Sequence, residues 1–276
     1  MKAVYMHCGG FGCSHEFVVA LYGALKHTTC SIVIGTDEES YPAITKYAPN
    51  DPRINITLTP KFDHPIRNGS LFWRQRWVNM QHLGDKYDGF VAVDIDVLFR
   101  KNIDFILDRF HPDKTYLNAL GTVFTAPHKH ADKYLRLAQR ANLPTKAPLY
   151  VCCNFMGLTR EWLNLHIRTI SETLHRTCSS DETILTSIVG VEDPMRINII
   201  RDENRRKFLA DWKHRDDMPE EYRDGYIIHY ANGSCINSDE WKATHAEARM
   251  AKFLWSADDT FIAAHYDKKA RRALGL

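Results

Sequence analysis

The chain has 276 residues, 44% of them hydrophobic, and a formal net charge of +2. That length buries one large domain or two tightly joined lobes, and so small a charge does not by itself mark a nucleic-acid or membrane-surface binder. No stretch approaches the ~20 apolar residues of a membrane span, and the N-terminus runs into a strand pattern without the apolar core and cleavage site of a secretion signal. Seven cysteines, with Cys152 and Cys153 adjacent in an apolar run, suit buried thiols in a reducing compartment better than a disulfide framework. A cytoplasmic protein is expected.

Residues 3–8 read as a buried strand, and the Gly9, Gly10, Phe11, Gly12 turn behind it brings backbone close to a ligand. His7, Cys8, Cys13 and His15 cluster here but lack the paired spacings of a structural zinc site, so they read as loop and core. Residues 16–26 place Phe17, Ala20, Leu21 and Ala24 at helical spacing, and the β-branched run 31–34 ends at Gly35, Thr36 and Asp37. Strand, helix and strand make a βαβ unit, which implies a parallel sheet with ligands beyond its C-terminal strand ends. A strand over 54–58 and a helix over 70–83 follow, the helix carrying Trp73, Arg74, Arg76 and Trp77. Residues 90–93 then form a short apolar strand that runs directly into Asp94, Ile95 and Asp96.

Further on, helices are expected over 103–109 and 131–141, an apolar stretch over 149–158 contains Asn154 and Gly157, and a helix carries Trp162, Ile167, Ile170 and Leu174. The charge-rich residues 201–217 read as a solvated loop or surface helix, with a phosphate-reading lid as the sharper alternative. Residues 226–230 look like a late strand, with Asn232, Gly233 and Ser234 as its turn and a helical tail from Ser238. No repeat or linker divides the chain. One domain is expected, with a nucleotide-binding half over 1–100, a sugar and acceptor half over 101–240, and the tail over 241–276.

Residues i and i+2 of a strand share a face, so Asp94 and Asp96 can both offer oxygens to one cation while Ile95 points into the core. Mg²⁺ and Mn²⁺ take oxygen donors and keep positions for phosphate oxygens. Asp-x-Asp alone arises by chance about once per few hundred residues, and two solvent-facing carboxylates are the plainer reading. The strand context favours the cation, because two like charges at the end of a buried strand need a counter-charge.

Taken in order, the segments FVAVDIDVLF, CNFMGL, SSDETIL and YIIHYANGS resemble the retaining GT-A glycosyltransferases of the glycogenin and bacterial galactosyltransferase type, family eight, over residues 1–245. The resemblance implies an α/β fold of the GT-A nucleotide-sugar-binding type, with a mostly parallel central sheet flanked by helices. It implies that Asp94, Asp96 and His229 coordinate Mn²⁺ or Mg²⁺, where a half-buried strand histidine is the plain alternative for His229. Asn154 and Gly157 resemble the donor-sugar Asn-x-Gly motif with one extra residue between them. Asp181 and Glu182 resemble the Asp-Gln pair near the reacting carbon, with Glu in place of Gln; Asp181 would bond sugar hydroxyls and Glu182 would stabilise positive charge at the anomeric centre. Ser180 or Asp181 capping a helix explains the same residues structurally.

By the same resemblance, His7, Cys8, Gly9 and Asp37 are candidate base and ribose contacts. Arg74 or Arg76 would stand near the donor, and Lys242 near the diphosphate, although Trp241 and Lys242 reverse the family's order. The expected activity is metal-dependent transfer of a sugar from a nucleotide-diphosphate donor, a UDP-sugar, to a glycan or other hydroxyl acceptor with retention. Three alternatives stay open: glycosylation of modified nucleic-acid bases through the basic Arg201, Arg205, Arg206, Lys207 and Arg215, a non-catalytic nucleotide-sugar-binding module, and a nucleotidyltransferase, which also uses carboxylates and a metal on an α/β sheet.

Overall fold

The computed structural model of the chain describes residues 1–9, 15–59, 70–83, 86–108, 115–121, 135–136, 138–140, 142, 150–177, 181–189, 197–198, 209–211, 225–230 and 239–250. The glycine turn at 10–12 with Cys13, most of the helix expected over 131–141, Ser180, the basic residues of 201–215, the turn at 232–234 and the tail beyond 250 lie outside the described residues. In chain order the elements are β1 (Lys2–Cys8), α1 (His15–His27), β2 (Ser31–Thr36), α2 (Tyr41–Tyr47), β3 (Ile54–Leu58), α3 (Ser70–Leu83), β4 (Gly89–Val93), β5 (Val97–Phe99) and α4 (Asp104–Asp108). Then come β6 (Thr115–Gly121), β7 (Tyr150–Thr159), α5 (Arg160–Thr177), α6 (Asp181–Val189), β8 (Ile197–Asn198), β9 (Leu209–Asp211), β10 (Ile227–His229) and α7 (Asp239–Met250).

Seven strands form a mostly parallel sheet in the order β3-β2-β1-β4-β7-β6-β8, flanked by helices. β1, β2 and β4 are buried almost throughout, as continuous apolar runs in a parallel sheet must be. β3, at the sheet edge, is only half-buried and ends on an exposed Leu58. A second sheet has three strands in the order β5-β10-β9.

Packing divides the chain into two compact units, each discontinuous in sequence. One comprises Val4–Leu58, Val93–Ile106 and Arg201–Leu276; the other comprises Met1–Ala3, Thr59–Ala92 and Leu107–Ile200.

In the first unit, α1 buries Phe17, Ala20, Leu21 and Ala24, as its spacing predicts, and packs on β5 and α7. Its last-turn carbonyls have no partner within the helix. Arg53 closes that end by donating to the carbonyls of Leu25 (3.1 Å) and Thr28 (2.6 Å), held in turn by Asp51 at 2.8 Å. α7 is pinned by the buried Trp241 and by ion pairs of Glu240 with Arg100 and of Glu247 with Lys26. The short α2 has little apolar periodicity of its own. It starts where Asp37 accepts the Ser40 N–H (2.7 Å), with proline in its first turn.

In the second unit, α5 and α6 cover β7, and α3 lies on α5. β6 runs antiparallel to β7 and parallel to β8. The β6–β7 register jumps where Leu117 faces Met156 but Asn118 faces Cys152, which leaves residues 153–155 as a bulge in β7.

Gly23 shows how closely α1 approaches β5: a Cβ there would lie 3.1 Å from the Phe99 Cβ and 3.3 Å from its backbone nitrogen. Backbone cannot swing aside as a side-chain tip can. Gly23→Leu is expected to destabilise the protein by about 1–3 kcal/mol despite leucine's better helix propensity, measured by urea unfolding.

Candidate functional site

β4 ends at Val93, so Asp94 is the first residue past a fully buried strand. Asp94, Ile95 and Asp96 bend away from it before the chain enters β5. Ile95 is half-buried rather than a core residue, because the acidic pair lies in this bend, where strand alternation no longer holds. The partner arrives through β10, which pairs antiparallel with β5 in a register that sets His229 opposite Val97. Tyr230 N–H donates to the Asp96 carbonyl at 2.8 Å, extending that ladder by one residue. His229 Nε2 consequently lies 3.4 Å from Asp96 Oδ1 and 3.8 Å from Asp94 Oδ2. One ligand atom from each residue falls within 4.8 Å of the others. Two carboxylate oxygens and one imidazole nitrogen this close form a donor set that fits a divalent cation, and the nitrogen suits Mn²⁺ better than Mg²⁺.

At the C-terminal ends of the adjacent strands β1 and β2, the structure gathers His7, Gly9 and Asp37. A Cβ on Gly9 would stand 2.7 Å from Asp37 Oδ2 and 3.3 Å from His7 Nε2, so a side chain there would displace the carboxylate. The Tyr5 hydroxyl lies 3.3 Å from His7 Nδ1. Cys8 is buried, and its side chain belongs to the core. Lys242 is on the solvent side of α7, 3.3 Å from Asp239. Arg74 falls on α3, with its side chain outside those described.

The second unit brings other candidates together. Asp181 is the first residue of α6 and is 2% exposed. Its Oδ1 accepts the Glu182 N–H at 3.0 Å and its Oδ2 accepts the Trp77 indole N–H at 3.3 Å. Asn154 is buried within the bulge of β7. Arg76 is buried too and donates to the Cys153 carbonyl at 3.0 Å. Sequence reasoning named Arg76 beside Arg74 but gave no role to Trp77 or Cys153, because a helix face with arginines reads as surface. Glu182 is half-buried in the first turn of α6, where a negative charge suits the helix dipole.

Burial pushes the Asp181 carboxyl above its ordinary range, opposed by the positive charge of Arg76 and by the hydrogen bonds from Trp77, Glu182 N–H and Cys153. A raised folded-state value means that the native protein holds this proton where the unfolded chain has lost it. The associated stability is present below the ordinary carboxylate range and lost as pH rises through the raised value. Asp181→Asn should therefore gain stability relative to wild type as pH climbs from 4 toward 8, with the two closest at the acid end. Urea unfolding across that pH series checks this; a difference that does not change with pH contradicts it.

No family model and no curated protein matches the sequence. Solved structures do resemble it. The galactosyltransferase LgtC in complex with donor and acceptor sugar analogues superposes with a TM-score of 0.59 at 14% identity, over 95% of this chain and 99% of that one. An active-site variant of LgtC with glutamine changed to glutamate matches over the same shares at 15% identity. Mouse xyloside xylosyltransferase 1 matches with a TM-score of 0.51 and 12% identity over 84% of this chain and 98% of that one. The bifunctional glycosyltransferase WbbM matches with 0.59 and 11% over 95% and 51%. At these identities the likeness is one of architecture: the chain has the GT-A fold of glycosyltransferases.

Proposed function

We propose that the chain is a metal-dependent glycosyltransferase that moves a sugar from a nucleotide-diphosphate donor, a UDP-sugar, to a hydroxyl acceptor with retention of configuration. The observation that carries this is the meeting of Asp94, Asp96 and His229, their ligand atoms within 4.8 Å, just past a central strand of a GT-A sheet. The LgtC structure with donor and acceptor sugar analogues supports sugar transfer as the use of such a site. No helix among the described residues is long and apolar enough to cross a membrane, and the thiol content favours a reducing, cytoplasmic setting.

Asp94, Asp96 and His229 would hold Mn²⁺ in preference to Mg²⁺. When bound, the cation supplies positive charge to the diphosphate as the bond to the anomeric carbon breaks. In this reading His7, the Cys8–Gly9 backbone and Asp37 receive the nucleoside, while Arg74 and Lys242 face the diphosphate. Asn154 and Asp181 bond sugar hydroxyls, orienting the ring for the acceptor oxygen. Glu182 offsets positive charge developing at the anomeric carbon. It stands where the family resemblance expects glutamine, the same two residue types that are exchanged in the LgtC active-site variant.

The test is a panel of UDP- and GDP-sugars incubated with the protein in Mn²⁺, in Mg²⁺ and in chelator, measuring release of nucleoside diphosphate beside the Asp94→Ala/Asp96→Ala protein. The expected result is release from one UDP-sugar that is greater in Mn²⁺ than in Mg²⁺, abolished by chelator and lost in the double variant. Release that ignores both the cation and the double substitution would overturn the metal assignment. A folded protein that turns over no donor, with or without simple sugar acceptors, would overturn the transferase reading.

A further inference from the structure

Arg76 and Trp77 are consecutive residues of α3, both buried, and they grip two different elements. Arg76 donates to the carbonyl of Cys153 at 3.0 Å, in the bulge of β7 that also holds Asn154. Trp77 donates its indole N–H to Asp181 Oδ2 at 3.3 Å, at the start of α6. Successive helix residues diverge by about 100°, so one turn of α3 reaches both neighbours at once.

A structural role alone accounts poorly for this arrangement. An aspartate that only capped α6 would work best at a solvated helix end, and a buried tryptophan N–H is satisfied by any neutral carbonyl. Here an ionisable carboxyl is 2% exposed and Trp77 fully buried, an arrangement that costs stability unless every oxygen is held. Each Asp181 oxygen does have a fixed donor: the Glu182 N–H on one and the Trp77 indole on the other. Together with the Cys153 side chain, which also bonds this carboxyl, they hold it in one orientation.

We infer that Trp77 is a positioning residue that fixes the carboxyl of Asp181, and that the Arg76–Trp77 pair sets the spacing between Asp181 and the Asn154 bulge so that both meet the donor sugar in one orientation. This rests on the glycosyltransferase reading. Trp77 touches no substrate; it acts through Asp181, and its loss disturbs the reacting geometry more than donor affinity.

Two measurements on the full-length protein test it. In the first, tryptophan indoles are ¹⁵N-labelled, the Trp77 resonance is assigned by its loss in Trp77→Phe, and its position is compared in wild type and Asp181→Asn. A clear displacement is expected, and an unmoved Trp77 resonance would overturn the contact. In the second, donor turnover is compared in Trp77→Phe and in Trp162→Phe, a similar loss from the buried Trp162 of α5. Trp77→Phe should lower kcat about 10- to 100-fold with little change in donor KM, while Trp162→Phe stays near wild type. Equal kcat values in the two variants would leave Trp77 a packing residue and overturn the inference. A wild type that turns over no donor overturns the transferase reading, and with it any kinetic role for Trp77; the indole measurement then still decides the contact.

Discussion

The candidate metal centre depends on one short ladder. β5 and β10 have three residues each, and their pairing carries His229 from late in the chain to the flank of Asp96. Strand side chains alternate faces, so a slip of one residue in this register would turn His229 away from the carboxylates. Several contacts prevent the slip: the Tyr230 N–H on the Asp96 carbonyl, the Arg100 N–H on the Tyr226 carbonyl, and β9 pairing along the outer side of β10. Beneath them α1 presses Gly23 against Phe99, so helix packing in the core reaches the geometry of the centre through a strand too short to fold alone.

The two units bury polar groups for different ends. Around β1, β2 and β5 the carboxylates of Asp37, Asp94 and Asp96 lie at strand ends and in a bend, partly exposed, while His7 and His229 are buried. Around β7 and α6, Arg76, Asn154 and Asp181 are almost wholly enclosed. Enclosure strengthens every electrostatic contact they make and raises the cost of any left unmade. Such a cluster favours rigidity over stability, as sites that must hold a substrate in one pose commonly do.

Much of the sheet could be read from the sequence, because β1, β2 and β4 are buried runs whose composition states their role. The acidic pair was legible for the same reason, since Asp94 directly follows such a run. His229 was reachable only through its resemblance to a late family motif: residues 226–230 read as a strand, but its closeness to Asp96 comes from pairing with the three-residue β5, a segment distant in sequence and too short for periodicity to reveal. α2 and β6 left no clear signal. Arg76 and Trp77 were seen but not understood, because an arginine on a helix normally faces water and nothing local says that a bulge elsewhere has turned a carbonyl toward it. The one available hint was the run Trp73, Arg74, Gln75, Arg76, Trp77, two tryptophans flanking two arginines within little more than one helix turn.

The β7 bulge bears on how such a site can change over time. In a regular strand, one added residue would turn every later side chain to the opposite face, exchanging core for surface. A bulge confines the insertion to a few residues, and the rest of β7 stays buried through Thr159. The segment that carries Asn154 can therefore gain or lose length without unravelling the sheet behind it. Lineages sharing this architecture can drift apart in motif spacing, and so escape recognition by sequence comparison, while their folds still superpose.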